Sequence, residues 1–231
     1  MILAAGRGER MRPLTDHLPK PLLEIQGKSL LEHHLYQLRD VGFTHVVINH
    51  AWLGHLIEER LGTGQKLGLN IQYSAEPEAL ETAGGIATAL PLLNPHDYFF
   101  VINGDVYAPN FPFDQLAHIT SELREKIKQG RKILAYLFLV KNPPHHPQGD
   151  FYLKQDQIST TSSDTHQTKY TFSGAGLYHK DLFKDISTGT KAALAPLLKK
   201  AMSENLIEGT LLQCDWHDVG TPERLAQLNQ S

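Results

Sequence analysis

A chain of 231 residues, 41% hydrophobic and 20% charged, is long enough to bury a real core and is neither disordered nor membrane-embedded in composition. Its net charge of −3 disfavours a dedicated nucleic-acid binder, and its one cysteine, Cys214, excludes an internal disulfide framework and any multi-cysteine metal site. No stretch approaches ~20 apolar residues, and the opening MILAAGRGERMRPL lacks the apolar run of a signal peptide, so a cytoplasmic chain with neither membrane nor nucleic acid as partner is expected.

Residues 1–5 read as a buried strand opening at Gly6 into a glycine loop. Ser29, with Glu32 three residues on, makes a capping box. Leu30, Leu31, Leu35, Leu38 and Val41 then repeat at helical spacing until Gly42 stops the helix, with His33 and His34 assigned to its surface side. Residues 45–50 (HVVINH) are a strand, 53–61 a short helix closed by Gly62, and 69–74 a strand. Residues 82–93 are a helix with Gly84 and Gly85 in its first turn, and 98–103 (YFFVIN) an apolar strand ending at Gly104-Asp105. Strands alternating with helices, each run largely apolar, predict a parallel sheet covered on both faces. Ligands of such sheets bind beyond the carboxyl ends of the strands. Three polar segments at such ends, residues 6–10, 49–50 and 103–105, are therefore expected to converge.

In the second half, 114–127 reads as an amphipathic helix, 132–141 as an apolar strand and 142–151 (NPPHHPQGDF) as a proline- and histidine-rich loop. The polar stretch 156–168 reads as an exposed hairpin or mobile loop, 170–179 as a strand and 192–205 as a helix with Pro196 near its start. A strand over 211–216 and a helix over 222–229, capped by Thr221, complete the pattern. Nothing reads as a linker, so one domain over 1–231 is expected, with a nucleotide-binding half (1–110) and a sugar-binding half (111–231) and no appended repeat module.

The densest chemistry lies in residues 6–28, where Arg7, Arg10, Arg12, Lys20 and Lys28 face Glu9, Asp16 and Glu24, a local excess of +2 in an acidic chain. Glycines here let successive N–H groups point into one concavity, a nest for phosphate oxygens, with Arg10 and Lys20 as cationic clamps. Pro13, Pro19 and Pro21 stiffen the loop. The pattern is neither a Walker A loop nor a full G-x-G-x-x-G, because Met11 stands where the third glycine would be. Asn103-Gly104-Asp105 and Trp216-His217-Asp218-Val219-Gly220-Thr221 each place a carboxylate after a strand. Each is also ordinary turn or helix-start chemistry. Asp105 and Asp218 together could share one Mg²⁺, which takes one or two carboxylates plus substrate phosphates.

The run G-x-G-x-R-M-x-P-L-T-x-x-x-P-K-P-L-L over 6–23 resembles the signature of the sugar-1-phosphate nucleotidylyltransferases. LETAGG (80–85) is similar to that family's base-contacting stretch, and Asn103-Gly104-Asp105 and Asp218-Val219-Gly220-Thr221 to its metal carboxylates. The resemblance implies a Rossmann-like α/β fold of the nucleotide-diphospho-sugar transferase type, a mostly parallel mixed sheet flanked by helices. It implies transfer of a nucleotidyl group from a nucleoside triphosphate to a sugar-1-phosphate with Mg²⁺. Within the family, INHAWLG, LETAGG and NPPHHPQGDF look most like the members that transfer a uridylyl group from UTP to a muramate phosphate in cell-wall recycling. Carried over, Gly6, Gly8, Glu9, Arg10, Lys20 and Asn103 contact the nucleotide, Arg10, Lys20, Asp105 and Asp218 are catalytic, Asp105 and Asp218 hold Mg²⁺, and Asp150 contacts the sugar. Two departures are visible: the family's Glu-Lys-Pro sugar segment is replaced by the polar 156–168 stretch, and a start at Met1 shortens the first strand. Thymidylyl or guanylyl transfer to a hexose-1-phosphate, and a non-catalytic nucleotide-sugar-binding subunit, remain open on these residues.

Overall fold

The computed structural model of the chain describes residues 1–95, 97–162, 164 and 166–230. In chain order it contains β1 (Ile2–Leu3), β2 (Glu24–Ile25), β3 (Lys28–Ser29), α1 (Leu30–Asp40), β4 (His45–His50), α2 (Gly54–Leu61), β5 (Asn70–Ala75), α3 (Glu81–Leu93), β6 (Tyr98–Asn103) and β7 (Val106–Tyr107). There follow α4 (Leu116–Lys128), β8 (Ala135–Val140), β9 (Phe151–Lys154), β10 (Gln157–Ser159), β11 (Lys169–His179), α5 (Leu194–Ser203), β12 (Ile207–Leu211), β13 (His217–Asp218) and α6 (Pro222–Gln230).

One nine-stranded sheet runs through both halves in the order β5-β4-β1-β6-β11-β8-β12-β10-β9. Successive side chains of its central strands enter opposite cores, as period-two geometry requires. Val46 and Ile48 pack with Leu31, Leu35 and Leu38 of α1, whereas Val47 packs with Ile86 of α3. Phe100 and Ile102 face the first core, Phe99 and Val101 the second. A fully buried side chain of this kind stabilises the fold by ~1.5–3 kcal/mol, which is why these strands read as unbroken apolar runs. The capping box of α1 forms as expected: Ser29 N–H donates to Glu32 Oε2 at 2.9 Å, and Glu32 N–H to Ser29 Oγ at 3.2 Å.

The parallel arrangement holds for β5-β4-β1-β6. Beyond β6 the sheet is mixed, because β11 runs antiparallel to both β6 and β8, while β12 is parallel to β8. Burial on both faces produces apolar runs whatever the strand direction, so composition could not distinguish the two. The strand expected over 211–216 falls earlier, at β12. Its Glu208 is fully buried and satisfied by Lys126 and Arg131, and Gly209 lets β12 approach β8 so closely that a Cβ there would sit 2.1 Å from Leu137 O. A buried charge and a glycine disguised a strand. Of the polar 156–168 stretch, Gln157–Ser159 pairs with β9 as a hairpin, and positions 163 and 165 lie outside the described residues. His34, expected at the surface, is 1% exposed, since α1 buries more of its circumference than its leucine stripe.

A third, smaller core joins Met11, Leu23, Ile25 and Leu30 to Tyr107, Val219 and Leu225. Met11 is fully buried there, so the residue that breaks the dinucleotide fingerprint anchors the glycine loop against the segment carrying Asp218.

Candidate active site

Strands β4, β1 and β6 lie side by side with Leu3 in register with both Asn49 and Asn103, so the three polar ends form one rim. The chain leaves β1 into the glycine loop. Gly8 has φ +67°, and a Cβ there would lie 3.1 Å from Lys20 Cβ and 3.2 Å from Thr15 Cγ2. Glycine thus serves both the left-handed backbone and the close packing. Thr15 Oγ1 donates to Gly8 O at 2.9 Å. The Arg7 guanidinium stacks on Trp52, 4.0 Å from the ring centroid, and donates to Thr15 O at 2.8 Å, the carbonyl that also accepts Trp52 Nε1–H at 3.0 Å.

Much of the loop's positive charge is therefore spent on its own shape. Arg7 and Arg12 both bind Asp16, at 3.1 and 2.8 Å, and lower its carboxyl below the usual range. Arg10 makes no hydrogen bond or salt bridge among the described residues and lines the cleft, as does exposed Glu9. Lys20 is only 7% exposed, and its Nζ donates to Asp105 Oδ2 at 2.6 Å.

Asp105 and Asp218 come together through the short β7–β13 ladder, in which Val106 pairs with Asp218 and Val219 N–H donates to Asp105 O at 3.1 Å. Asp218 Oδ2 accepts Arg224 at 2.9 Å and lies 3.6 Å from His145 Nε2. Burial, then the Arg224 charge, holds His145 below its ordinary pKa.

Two of the cavities along this rim share residues. The first, ≈ 380 Å³, is lined by Gly6, Gly8, Glu9, Arg10 and Met11 of the glycine loop and by Lys20, Asn49, Glu81, Thr82, Asn103 and Asp105, among others. The second, ≈ 360 Å³, is lined by Arg10, Asn103, Asp105, His145, His146, Trp216 and Asp218, among others. They meet at Arg10, Asn103 and Asp105. Asp150 stands outside this set. It accepts Phe172 N–H at 2.8 Å and lies 3.0 Å from His146 Nε2, so it supports two wall residues of the second cavity rather than lining it.

Sequence reasoning passed over the residues that hold the lining in place. Glu76 is buried, accepting Asn49 Nδ2–H at 2.6 Å and Leu80 N–H at 2.9 Å, and Asn49 in turn accepts Ala4 N–H at 3.0 Å. This bracket ties the start of α3 to β1. The polar Asn49 at a strand end was its one visible signal. Trp52 acts on a carbonyl 37 residues away in sequence and Arg224 on Asp218, six residues before it, and nothing in their local pattern marks them.

A cleft that gathers a glycine loop, the cations Arg10 and Lys20 and the carboxylates Asp105 and Asp218 at the strand ends of an α/β sheet belongs to a nucleotide-handling protein. The chain belongs to the nucleotidyl transferase family, whose model matches residues 1–231, and it is an enzyme of that class. It is 50% identical over 228 residues to N-acetylmuramate alpha-1-phosphate uridylyltransferase of Neisseria meningitidis, covering 98% of this chain and 95% of that protein. It is 31% identical to the mannose-1-phosphate guanylyltransferase catalytic subunit beta of Danio rerio, over 96% of this chain but 61% of that longer protein. Its fold matches HddC from Yersinia pseudotuberculosis, solved complexed with GMP-PN, with a TM-score of 0.75 at 21% identity, covering 99% of this chain and 96% of that one. No helix among the described residues is long and apolar enough to cross a membrane.

Proposed function

We propose that the chain transfers the uridylyl group of UTP to N-acetylmuramate α-1-phosphate, giving UDP-N-acetylmuramate and pyrophosphate, as a step of peptidoglycan recycling in the cytoplasm. The choice of substrates rests on the half-identical uridylyltransferase. The reaction type is supported by one observation above all: the two cavities meet at Arg10, Asn103 and Asp105. A donor in the first cavity and an acceptor phosphate in the second would touch there. In this reading residues 1–110 bind the nucleotide and 111–231 complete the sugar side.

The acceptor phosphate has a second pKa near ~6, so at neutral pH it is already a dianion and needs no general base. One of its oxygens attacks the α-phosphorus. A P–O bond forms, the bond from the α-phosphorus to the bridging oxygen breaks, and its electron pair leaves with pyrophosphate. The obstacle is repulsion between polyanions, so catalysis consists of positioning and charge neutralisation. Gly6, Gly8 and Glu9 of the loop, with Asn103, hold the nucleotide. Arg10, uncommitted within the fold, stabilises charge on the departing pyrophosphate. Lys20 passes from Asp105 to a phosphate oxygen as substrate enters.

Nucleotidyltransferases of this family generally work with a divalent metal. Asp105 and Asp218 fit Mg²⁺, because Asp218 lies on β13, Asp105 immediately precedes its partner strand β7, and both line one cavity. Among the described residues no third acidic or histidine ligand completes a cluster, which suits an ion that finishes its shell with phosphate and water. When bound, the ion supplies charge neutralisation between donor and acceptor phosphates.

Pyrophosphate release across UTP, dTTP, CTP and GTP, each with N-acetylmuramate-, N-acetylglucosamine-, glucose- and mannose-1-phosphate, tests the proposal. Turnover is expected to be fastest with UTP and N-acetylmuramate α-1-phosphate. Preference for another pair overturns the substrate assignment, and no release with any pair overturns the catalytic one.

A further inference from the structure

His34 is the one buried side chain among the described residues in which neither ring nitrogen makes a well-aligned hydrogen bond. They lie against the main chain of Val106 and Asn103, the two ends of the turn that carries Asp105, near enough to act on the imidazole but short of full hydrogen-bond geometry. Such a ring destabilises the fold relative to a leucine, which would fill the same space without stranding two polar atoms. The rest of α1 buries leucines, so the exception falls where the helix backs the catalytic turn.

That turn is held on two of its sides. Gly104 N–H donates to Leu3 O at 2.8 Å, and Asp105 O accepts Val219 N–H at 3.1 Å. Its side chain is engaged by Lys20. When Lys20 moves to a phosphate and Asp105 turns to a cation, the carboxylate loses that partner, and the remaining side of the turn is the one that rests on His34. We propose that His34 is a positioning residue: its ring N–H engages the turn's main chain when Asp105 takes up the divalent cation, and so holds the carboxylate in its ligating pose. Burial keeps the imidazole neutral, lowering its pKa to about 4, so the brace adds no positive charge beside the cation. The inference rests on the reading that Asp105 is a cation ligand.

The test measures Mn²⁺ affinity by electron paramagnetic resonance in the presence of α,β-methylene-UTP, alongside metal-free thermal melting. His34→Leu is expected to melt at or above the wild-type temperature yet bind Mn²⁺ ~10–100-fold more weakly, the usual effect of removing a group that orients a metal ligand. His34→Gln, which retains a donor, recovers part of that affinity. Lower melting with unchanged Mn²⁺ affinity means the ring is structural and overturns the proposal. A reading independent of folded variants comes from the wild-type ¹⁵N imidazole signals, which shift on adding Mg²⁺ with the analogue if the bond forms and stay put if it does not. Asp105→Asn separates the premise from the inference. If it binds Mn²⁺ normally, Asp105 is no ligand; if it loses Mn²⁺ while His34→Leu does not, only the role of His34 falls.

Discussion

Replacing Gly8 by alanine perturbs the cradle at the one loop glycine that both adopts a left-handed backbone and is closely packed. An alanine at φ +67° costs ~1–2 kcal/mol, offset in part by ~0.4–1 kcal/mol from the less flexible unfolded chain. The net is about 1 kcal/mol, which at this chain length lowers Tm by ~2–4 °C. The added methyl also meets Lys20 Cβ at 3.1 Å and the Thr15 methyl at 3.2 Å, so both must give by a few tenths of an ångström. Lys20 is the residue whose Nζ rests on Asp105, and a misplacement of ~1 Å can cost ~10²-fold, so a kcat loss of roughly 10-fold is expected. Gly6→Ala provides the contrast: its Cβ meets nothing within 4 Å and points into open space. It should melt like wild type and show its effect in KM for UTP. Pyrophosphate release at saturating substrates and thermal melting measure both. Wild-type kcat in Gly8→Ala with a lowered Tm would refute the coupling of loop shape to Lys20.

Arg10→Ala and Lys20→Ala should fold, each losing about 10²–10³ in turnover as expected for loss of a donor to developing charge; steady-state rates near wild type would remove the assigned roles. The second variant also frees Asp105, so its Mg²⁺ requirement should shift where that of Arg10→Ala does not. Asp97, bound bidentately by Arg124 at 2.7 and 2.7 Å, is held down to about 2. Its stabilisation is complete above the ordinary carboxyl range near pH 4 and is lost as pH falls toward 2. Asp97→Asn should therefore cost about 1 kcal/mol at pH 7, after allowance for solvent screening of the half-exposed arginine, with the gap closing near pH 2–3 in urea melts. A gap independent of pH would exclude that ion pair as its source.

The first half of the fold was legible because its signals are local. A capping box, leucines at helical spacing and glycine stops marked α1, and unbroken apolar runs marked β4 and β6. The convergence of three strand ends followed from sheet topology alone. What stayed hidden depends on partners distant in sequence. β12 carries a glutamate that only Lys126 and Arg131 make tolerable, and strand direction beyond β6 leaves no compositional trace. In the site, the residues that touch the cleft sit in recognisable runs, whereas those that hold them do not. Glu76, Trp52 and Arg224 each act on a neighbour through one or two bonds that no spacing rule foretells. Arg7 and Arg12, counted in the loop's excess positive charge, are committed to Asp16.

Titrating Mn²⁺ into the protein with α,β-methylene-UTP, for the wild type and for Asp105→Asn and Asp218→Asn, bears most directly on the shared-cation site. One ion per chain bound tightly in the wild type, and weakened in both variants, is the expected result. Wild-type affinity in either variant would contradict it, because a single cation held by both carboxylates cannot be indifferent to the loss of one.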